Sequence, residues 1–92
     1  MVRRVAGESM QPAIAPGQVV WATGLYRRLR AGDVVIISHN GLEKIKRVRD
    51  VHAGRVFVLG DNGSESTDSR HFGWLSKELV VGKLLGQSTV SE

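Results

Sequence analysis

Residues 33–48 read Asp-Val-Val-Ile-Ile-Ser-His-Asn-Gly-Leu-Glu-Lys-Ile-Lys-Arg-Val. Two runs that are rich in Val and Ile, a composition typical of β-strands, lie on either side of an Asn-Gly pair. Asn40 and Gly41 readily adopt the two positive φ angles of a type I′ turn, whose twist matches that of paired antiparallel strands. The stretch therefore predicts a tight β-hairpin.

Outside this hairpin, Gly and Pro interrupt the chain too often for long helices, which favours short strands joined by turns. We expect His52, Ala53 and Gly54 to close a second hairpin, and Ser76 to cap one brief helical turn that ends at Leu79. The predicted strands are 18–23, 33–38, 42–51, 55–59 and 80–85. We therefore predict a mainly β fold, a small antiparallel and partly barrel-like domain with at most one short helical turn.

Size and composition narrow the class of protein. A chain of 92 residues supports one domain, residues 1–92, because it is too short to bury two cores. Its longest aliphatic run, residues 34–37, is far short of the roughly 20 apolar residues that cross a bilayer. No apolar stretch follows Arg3 and Arg4 to indicate a signal peptide. The absence of cysteine excludes disulfide scaffolds and thiolate zinc sites.

The N-terminal half of the chain is the basic half. Residues 1–50 hold nine Lys or Arg against four acids, whereas residues 51–92 hold four against five. Within 21–30, apolar side chains alternate with arginines, a pattern that suits an anionic membrane surface or nucleic acid. The alternative is a solvated basic turn with a few half-buried apolar residues. The residues concerned are Trp21, Leu25, Tyr26, Leu29, Arg27, Arg28 and Arg30.

Residues 60–73 form a polar segment that is too long for a simple hairpin loop, which indicates a functional or a disordered loop.

A serine such as Ser9 becomes a nucleophile only when a base takes its proton. Histidine is one candidate base, but the segment around Ser9 lacks the last glycine of a nucleophile elbow. The three histidines also fall in predicted turns or loops; they are His39, His52 and His71.

Lysine is the other candidate base. Its ordinary pKa is about 10.4, so it must be desolvated or placed near another cation to act as a base near neutral pH. Strand alternation places Lys46 on the same face as Val48, with Arg47 next to it in sequence and Lys44 nearer the open end. Lys46 is therefore the better candidate. Taken alone, it would more simply be a solvated charge on a strand edge.

Three groups of residues occur in a characteristic order along the chain. They are Ser9-Met10-x-Pro12, Lys46-Arg47, and Gly60-Asp61-Asn62 followed by Ser66-x-Asp68-Ser69-Arg70-x-x-Gly73. In this order and spacing they resemble the signature motifs of the type I signal peptidase family. The start of the strand at 33–38, Gly32-Asp33-Val34-Val35, is also similar. The resemblance covers about residues 5–83, nearly the whole chain.

The resemblance implies a serine endopeptidase that removes an N-terminal signal or leader peptide from a precursor protein. It assigns Ser9 as the nucleophile and Lys46 as the general base, with the Ser9 backbone N–H contributing to the oxyanion hole. Ser66 would orient the Lys46 amine, and the remaining supporting residues would be Asp68, Arg70 and Arg47. The implied fold is the β-rich one shared with self-cleaving repressor domains, and the implied chemistry needs no metal or cofactor and no nucleic acid partner.

Some residues depart from the family pattern. Gly7 stands where some members carry a Ser whose hydroxyl completes the oxyanion hole, and Ala13 replaces the usual Thr.

Residues 66–73 resemble the soluble maturation peptidases of nickel superoxide dismutase, so that branch and an anchorless signal peptidase are two alternatives. We expect a cytoplasmic location if this is the whole protein, and membrane association if an N-terminal anchor precedes it. The rival hypothesis is a non-catalytic basic β module that binds nucleic acid or a membrane surface.

Overall fold

The computed structural model describes residues 1–89, and within them seven strands form one antiparallel sheet. The strands are β1 (Val2–Arg4), β2 (Val19–Thr23), β3 (Val34–His39), β4 (Leu42–His52), β5 (Arg55–Leu59), β6 (Leu75–Ser76) and β7 (Val80–Gln87). Their order across the sheet is β1-β2-β7-β3-β4-β5-β6. The mainly β, antiparallel fold expected from the sequence is confirmed.

Both predicted hairpin turns are present. Asn40 and Gly41 have φ angles of 51° and 77° between β3 and β4, and Ala53 and Gly54 have 50° and 75° between β4 and β5. Alanine rarely adopts such an angle, because its Cβ crowds the backbone there. The strand ends lie within one or two residues of their predicted positions, so the turn chemistry located them well.

Within residues 1–89, three short helical segments accompany the sheet. A 3-10 turn (Gly63–Glu65) and α1 (Ser69–Phe72) lie in the polar segment, and a second 3-10 turn (Lys77–Leu79) precedes β7. The Ser76 hydroxyl accepts the Glu78 N–H at 3.3 Å and caps the last turn, as predicted. The other two segments, like β1 and β6, do not follow from the sequence, because so few residues carry no recognisable periodicity. No helix in residues 1–89 is long and apolar enough to cross a membrane.

The sheet buries apolar side chains on both of its faces. Val35 and Ile37 of β3 belong to one core cluster, whereas Val34 packs against the other, because successive strand residues point to opposite faces. The first cluster also contains Val48, Val56, Val58, Leu75 and Val80, and the second consists of Val5, Met10, Ile14 and Val20. Burying one such side chain stabilises the fold by about 1.5 to 3 kcal/mol. The second cluster also anchors the turn that carries Ser9, since Met10 is only 2% exposed.

A cleft separates two strand edges that have no strand partner among the described residues. Residues 42–46 of β4 pair with β3 on one side, and pairing with β5 begins only at Arg47. On the other wall, β1 pairs with β2 alone. Arg3 of β1 reaches Glu43 of β4, with 2.6 Å between Nε and Oε1. The cleft has a volume of about 200 Å³ and is lined by residues 3–7, 9, 10, 36 and 43–46.

Candidate active site

Ser9 lies in the turn between β1 and β2, and its neighbour holds it in place. Met10 is inserted into the second core cluster, and the Met10 carbonyl accepts the Ile14 N–H at 2.9 Å. Ser9 itself is half-buried and lines the cleft. Its carbonyl oxygen accepts the Asn62 N–H at 2.7 Å. The nucleophile expected from the sequence is thus tied both to the core and to the polar segment.

Lys46 is the other expected catalytic residue, and it is almost completely buried. The side chain is 4% exposed and lies on the face of β4 that also carries Val48, as strand alternation predicts. Burial lowers the pKa of the Lys46 amine; the nearby Asp68 carboxylate acts in the opposite direction, and Lys44 and Arg70 lower it further. The net lowering is the change that a lysine needs to act as a base near neutral pH.

A chain of hydrogen bonds supports the Lys46 amine from the polar segment. Lys46 Nζ donates to Ser66 Oγ at 2.9 Å, and Ser66 Oγ donates to Asp68 Oδ2 at 2.8 Å. A hydroxyl has one proton to donate, so Ser66 accepts from Lys46 while it donates to Asp68. A neutral amine in this position gives one N–H to Ser66 and keeps its lone pair for another proton. The arrangement therefore suits Lys46 to accept a proton.

Asp68 is fully buried and holds the polar segment together. Its Oδ1 accepts Arg70 Nε at 2.9 Å, and its Oδ2 accepts Arg70 Nη2 at 2.7 Å and the Gly60 N–H at 2.9 Å. Burial by itself would raise the pKa of the Asp68 carboxyl, but hydrogen bonds from Arg70, Gly60 and Ser66 outweigh burial and hold that pKa well below its usual range. Asp68 is therefore a carboxylate at neutral pH, paired with Arg70.

Arg47, the last of the expected supporting residues, does not join this network. Its guanidinium donates to Asp61 instead, with Nε–Oδ1 at 2.9 Å and Nη2–Oδ2 at 2.8 Å, and Nη1 donates to the Gly32 carbonyl at 2.9 Å. The reason is strand alternation, which turns Arg47 to the face opposite Lys46.

The histidines do not form a catalytic arrangement with Ser9. His71 Nδ1 accepts the Asp68 N–H at 3.3 Å and completes the cap of α1, while the His39 ring stacks on Phe72 with 4.4 Å between centroids. His52 lies exposed at the end of β4. Across residues 1–89, neither a histidine nor Lys46 is hydrogen-bonded to the Ser9 side chain, but Lys46 lines the same cleft as Ser9 and the histidines do not. In the same range, no group of three or more His, Asp or Glu side chains is placed to hold a metal ion.

Gly60 and Asn62 of the polar segment contribute more to the geometry of the site than the sequence indicated. A Cβ added at Gly60 would lie 2.5 Å from Ser66 Cβ and 2.7 Å from the Ser9 carbonyl oxygen. Only glycine therefore lets the Ser9 turn and Ser66 approach so closely. Asn62 Nδ2 donates to the Glu8 carbonyl at 3.1 Å. Both residues belong to the Gly60-Asp61-Asn62 motif. The sequence does not show their contacts, because these contacts join distant parts of the chain.

The sheet, the cleft and the lysine define the class of protein: a small, mainly β protein with a buried, hydrogen-bonded lysine beside strand edges that have no strand partner within residues 1–89. The family described as signal peptidase, peptidase S26 matches residues 38–86, just over half of the chain. The chain therefore belongs to this peptidase family, as its motifs predict. The matched range includes Lys46, Ser66, Asp68 and Arg70.

One relative adds to this comparison. Signal peptidase I of Bacillus caldolyticus is 46% identical over 43 residues, which are 47% of this chain and 24% of that protein. The chain thus matches about a quarter of the length of its relative. Ser9 lies outside the range of the family match, so its place in the site depends on the structure and on its own motif.

Proposed function

We propose that this protein is a serine endopeptidase with Ser9 as the nucleophile and Lys46 as the general base. The observation that carries the proposal is the Lys46 amine: it is buried, hydrogen-bonded to Ser66, lowered in pKa and part of the cleft that Ser9 lines. Such an amine is the base that a serine hydroxyl requires. Membership of a peptidase family supports the same reading.

The reaction would proceed in two halves. Ser9 Oγ bonds to the scissile carbonyl carbon as Lys46 Nζ takes its proton; the C–N bond then breaks as Lys46 gives that proton to the leaving amine. Water next attacks the Ser9 ester, and its proton passes through Lys46 to Ser9 Oγ as the new carboxylic acid leaves. The Ser9 backbone N–H would bind the oxyanion, and one such donor is typically worth about 3 to 4 kcal/mol. Gly7 offers no side-chain donor, so any second donor is backbone or water.

The substrate would be an extended peptide that adds a strand in the cleft. Residues 42–46 and β1 each present an edge without a strand partner among the described residues, and peptides bind such edges through backbone hydrogen bonds. Family resemblance implies small residues such as Ala or Gly before the cut, in a precursor with an N-terminal leader or signal peptide. A cytoplasmic precursor and a precursor at a membrane are the two alternatives.

Peptide cleavage and chemical trapping test this function directly. The purified protein is incubated with peptides that carry Ala or Gly before the bond, and separately with a peptide bearing a serine-reactive phosphonate. We expect cleavage at that bond and a single adduct on Ser9, both read by mass spectrometry, with Ser9→Ala as the blank. An adduct on a different residue, or neither cleavage nor adduct, contradicts the proposal.

Lys44→Gln should move the rise of activity to higher pH. Activity rises as Lys46 loses its proton, because only the neutral amine can accept the Ser9 proton. Lys44 lowers the pKa of Lys46, so removing its charge raises that pKa and leaves a smaller neutral fraction at neutral pH. We expect kcat/KM to fall about two- to fivefold there, as suits a charge interaction of up to about 1 kcal/mol, and to match wild type at high pH.

The matched control for this change is Lys77→Gln. It removes the same charge at an exposed position and should leave the pH profile unchanged. An unshifted profile for Lys44→Gln would mean that Lys46 is not the group whose ionisation controls the rate.

A second function has support from a separate surface. Leu25 is 91% exposed and lies beside Arg27, Arg28 and Arg30, which form no ion pair within residues 1–89. Exposed apolar and unpaired basic side chains together suit an anionic membrane surface.

Replacing the three arginines with Gln should abolish salt-sensitive binding to vesicles rich in phosphatidylglycerol, whereas Ser9→Ala should not affect it. Binding to DNA instead would indicate a nucleic-acid module.

A further inference from the structure

Asn62 holds both of the peptide groups that flank Ser9. Its side-chain Nδ2 donates to the Glu8 carbonyl oxygen at 3.1 Å, and its backbone N–H donates to the Ser9 carbonyl oxygen at 2.7 Å. Asn62 Oδ1 accepts the Ser64 hydroxyl at 3.3 Å, which keeps the amide turned with its NH₂ group toward Glu8. One residue of the polar segment thus restrains the backbone on both sides of the nucleophile.

The bond to Glu8 sets the direction of the Ser9 N–H. A peptide group is planar and trans, so its C=O and its N–H point in opposite directions within one plane. The Glu8 carbonyl and the Ser9 N–H belong to the same peptide group. A donor that fixes the Glu8 oxygen therefore also fixes where the Ser9 N–H points, and that N–H is the proposed oxyanion donor.

Met10 anchors the turn on the far side of Ser9, but apart from Asn62 few contacts restrain the peptide group between Glu8 and Ser9. Gly7 has a φ angle of 79°, in a region that glycine enters freely, and residues 6–8 are exposed. The Glu8 carbonyl also accepts the Gln11 N–H at 3.1 Å, but that bond lies within the turn and moves with it. The bond from Asn62 instead ties the peptide group to a different part of the fold.

The same segment also supports the base. The Asn62 carbonyl accepts the Glu65 N–H at 3.0 Å, which begins the short turn leading to Ser66, the acceptor for Lys46. We infer that Asn62 is a positioning residue whose side-chain amide aims the Ser9 N–H at the oxyanion of the reaction. This inference rests on the proposed function and adds a residue to it.

Asn62→Asp and Asn62→Ala test this role in the full chain. The aspartate side chain has nearly the same shape but no N–H to donate to Glu8, and alanine removes the contact without adding charge. Both variants should lower kcat about 10- to 100-fold, somewhat less than the loss of an oxyanion donor itself, while KM changes less than about twofold. Thr67→Ala, at an exposed position of the same segment, should match wild type.

Affinity for a peptide boronic acid, compared with affinity for the uncleaved peptide, separates the role of Asn62 from a general loss of structure, which would weaken both. The boron of this acid bonds to Ser9 Oγ and becomes a tetrahedral anion, which mimics the transition state. Its affinity should fall in both Asn62 variants by the same factor as kcat/KM. Binding of the uncleaved peptide to Ser9→Ala should be the same with and without Asn62→Ala.

The outcomes separate this inference from the function on which it rests. Wild-type affinity for the boronic acid in both variants overturns the role of Asn62 alone. A loss confined to Asn62→Asp overturns it too, because that pattern marks an effect of charge, and so does an equal loss of uncleaved peptide. If the wild-type protein neither cleaves peptides nor binds the boronic acid, the proposed function fails and the role of Asn62 fails with it.

Discussion

Replacing Lys46 with methionine should abolish peptide cleavage and stabilise the fold at neutral pH. Without the amine, the proposed site has no base for the Ser9 proton, so kcat/KM should fall by at least about 10³-fold. Methionine is similar in length, carries no charge and adapts to apolar surroundings such as those beside Val48. The loss of activity would therefore reflect the missing proton acceptor and not a collapsed site.

The gain in stability follows from the lowered pKa of Lys46. Below its folded pKa, the amine is protonated in both states, and the folded protein carries the full cost of a buried charge. Between the folded pKa and the unfolded value of about 10.4, the unfolded chain binds more protons, so wild-type stability rises with pH. Lys46→Met should therefore be more stable at pH 7 by on the order of 1 kcal/mol, and the difference should vanish above about pH 11.

Denaturant unfolding across this pH range, beside the cleavage assay, measures both effects. Ser9→Ala is the matched control: it should lose cleavage equally but keep the pH dependence of wild-type stability. Cleavage retained by Lys46→Met would remove Lys46 from the mechanism. A methionine variant less stable than wild type at pH 7 would mean that the lysine is not held in an unfavourable apolar site.

Gly60→Ala should have the second largest effect, because its new methyl group would occupy the meeting point of the two catalytic segments. The Cβ would come within 2.7 Å of the Ser9 carbonyl oxygen and 2.5 Å of Ser66 Cβ. The Ser9 oxygen is backbone and cannot rotate away, and Ser66 can move only by breaking its bonds to Lys46 and Asp68. Relief of the clash therefore displaces the nucleophile, the support of the base, or both.

A displacement of about 1 Å at a catalytic group can cost about 10²-fold in rate, so we expect at least that loss in kcat/KM for Gly60→Ala. Overpacking should also lower the free energy of unfolding by about 1 to 3 kcal/mol. Gly24→Ala is the matched control, since its Cβ would make an ordinary 3.6 Å contact with the Val81 oxygen and should leave both quantities unchanged. Wild-type kcat/KM in Gly60→Ala would show that the two segments need not approach this closely.

The elements of the fold that could be predicted are those with a local cause. Asn-Gly at residues 40 and 41 and Ala-Gly at residues 53 and 54 close hairpins through their own φ angles, and the Val- and Ile-rich runs between turns form strands. Elements without a local cause were missed. β1 and β6 depend on hydrogen bonds from a neighbouring strand, with β2 pairing to β1 and β5 pairing to β6.

The candidate site shows the same division between features with a local cause and features that depend on tertiary contacts. The chain alone supplies the types and order of the chemical groups, the alternation that buries Lys46 beside Val48, and the motifs that identify the family. Tertiary structure decides which of those groups meet: that Arg47 pairs with Asp61, that Gly60 leaves room for Ser66, and that Asn62 reaches the peptide before Ser9. These contacts join segments far apart in the chain, so they arise only when the sheet brings its distant edges together, and no local pattern encodes them.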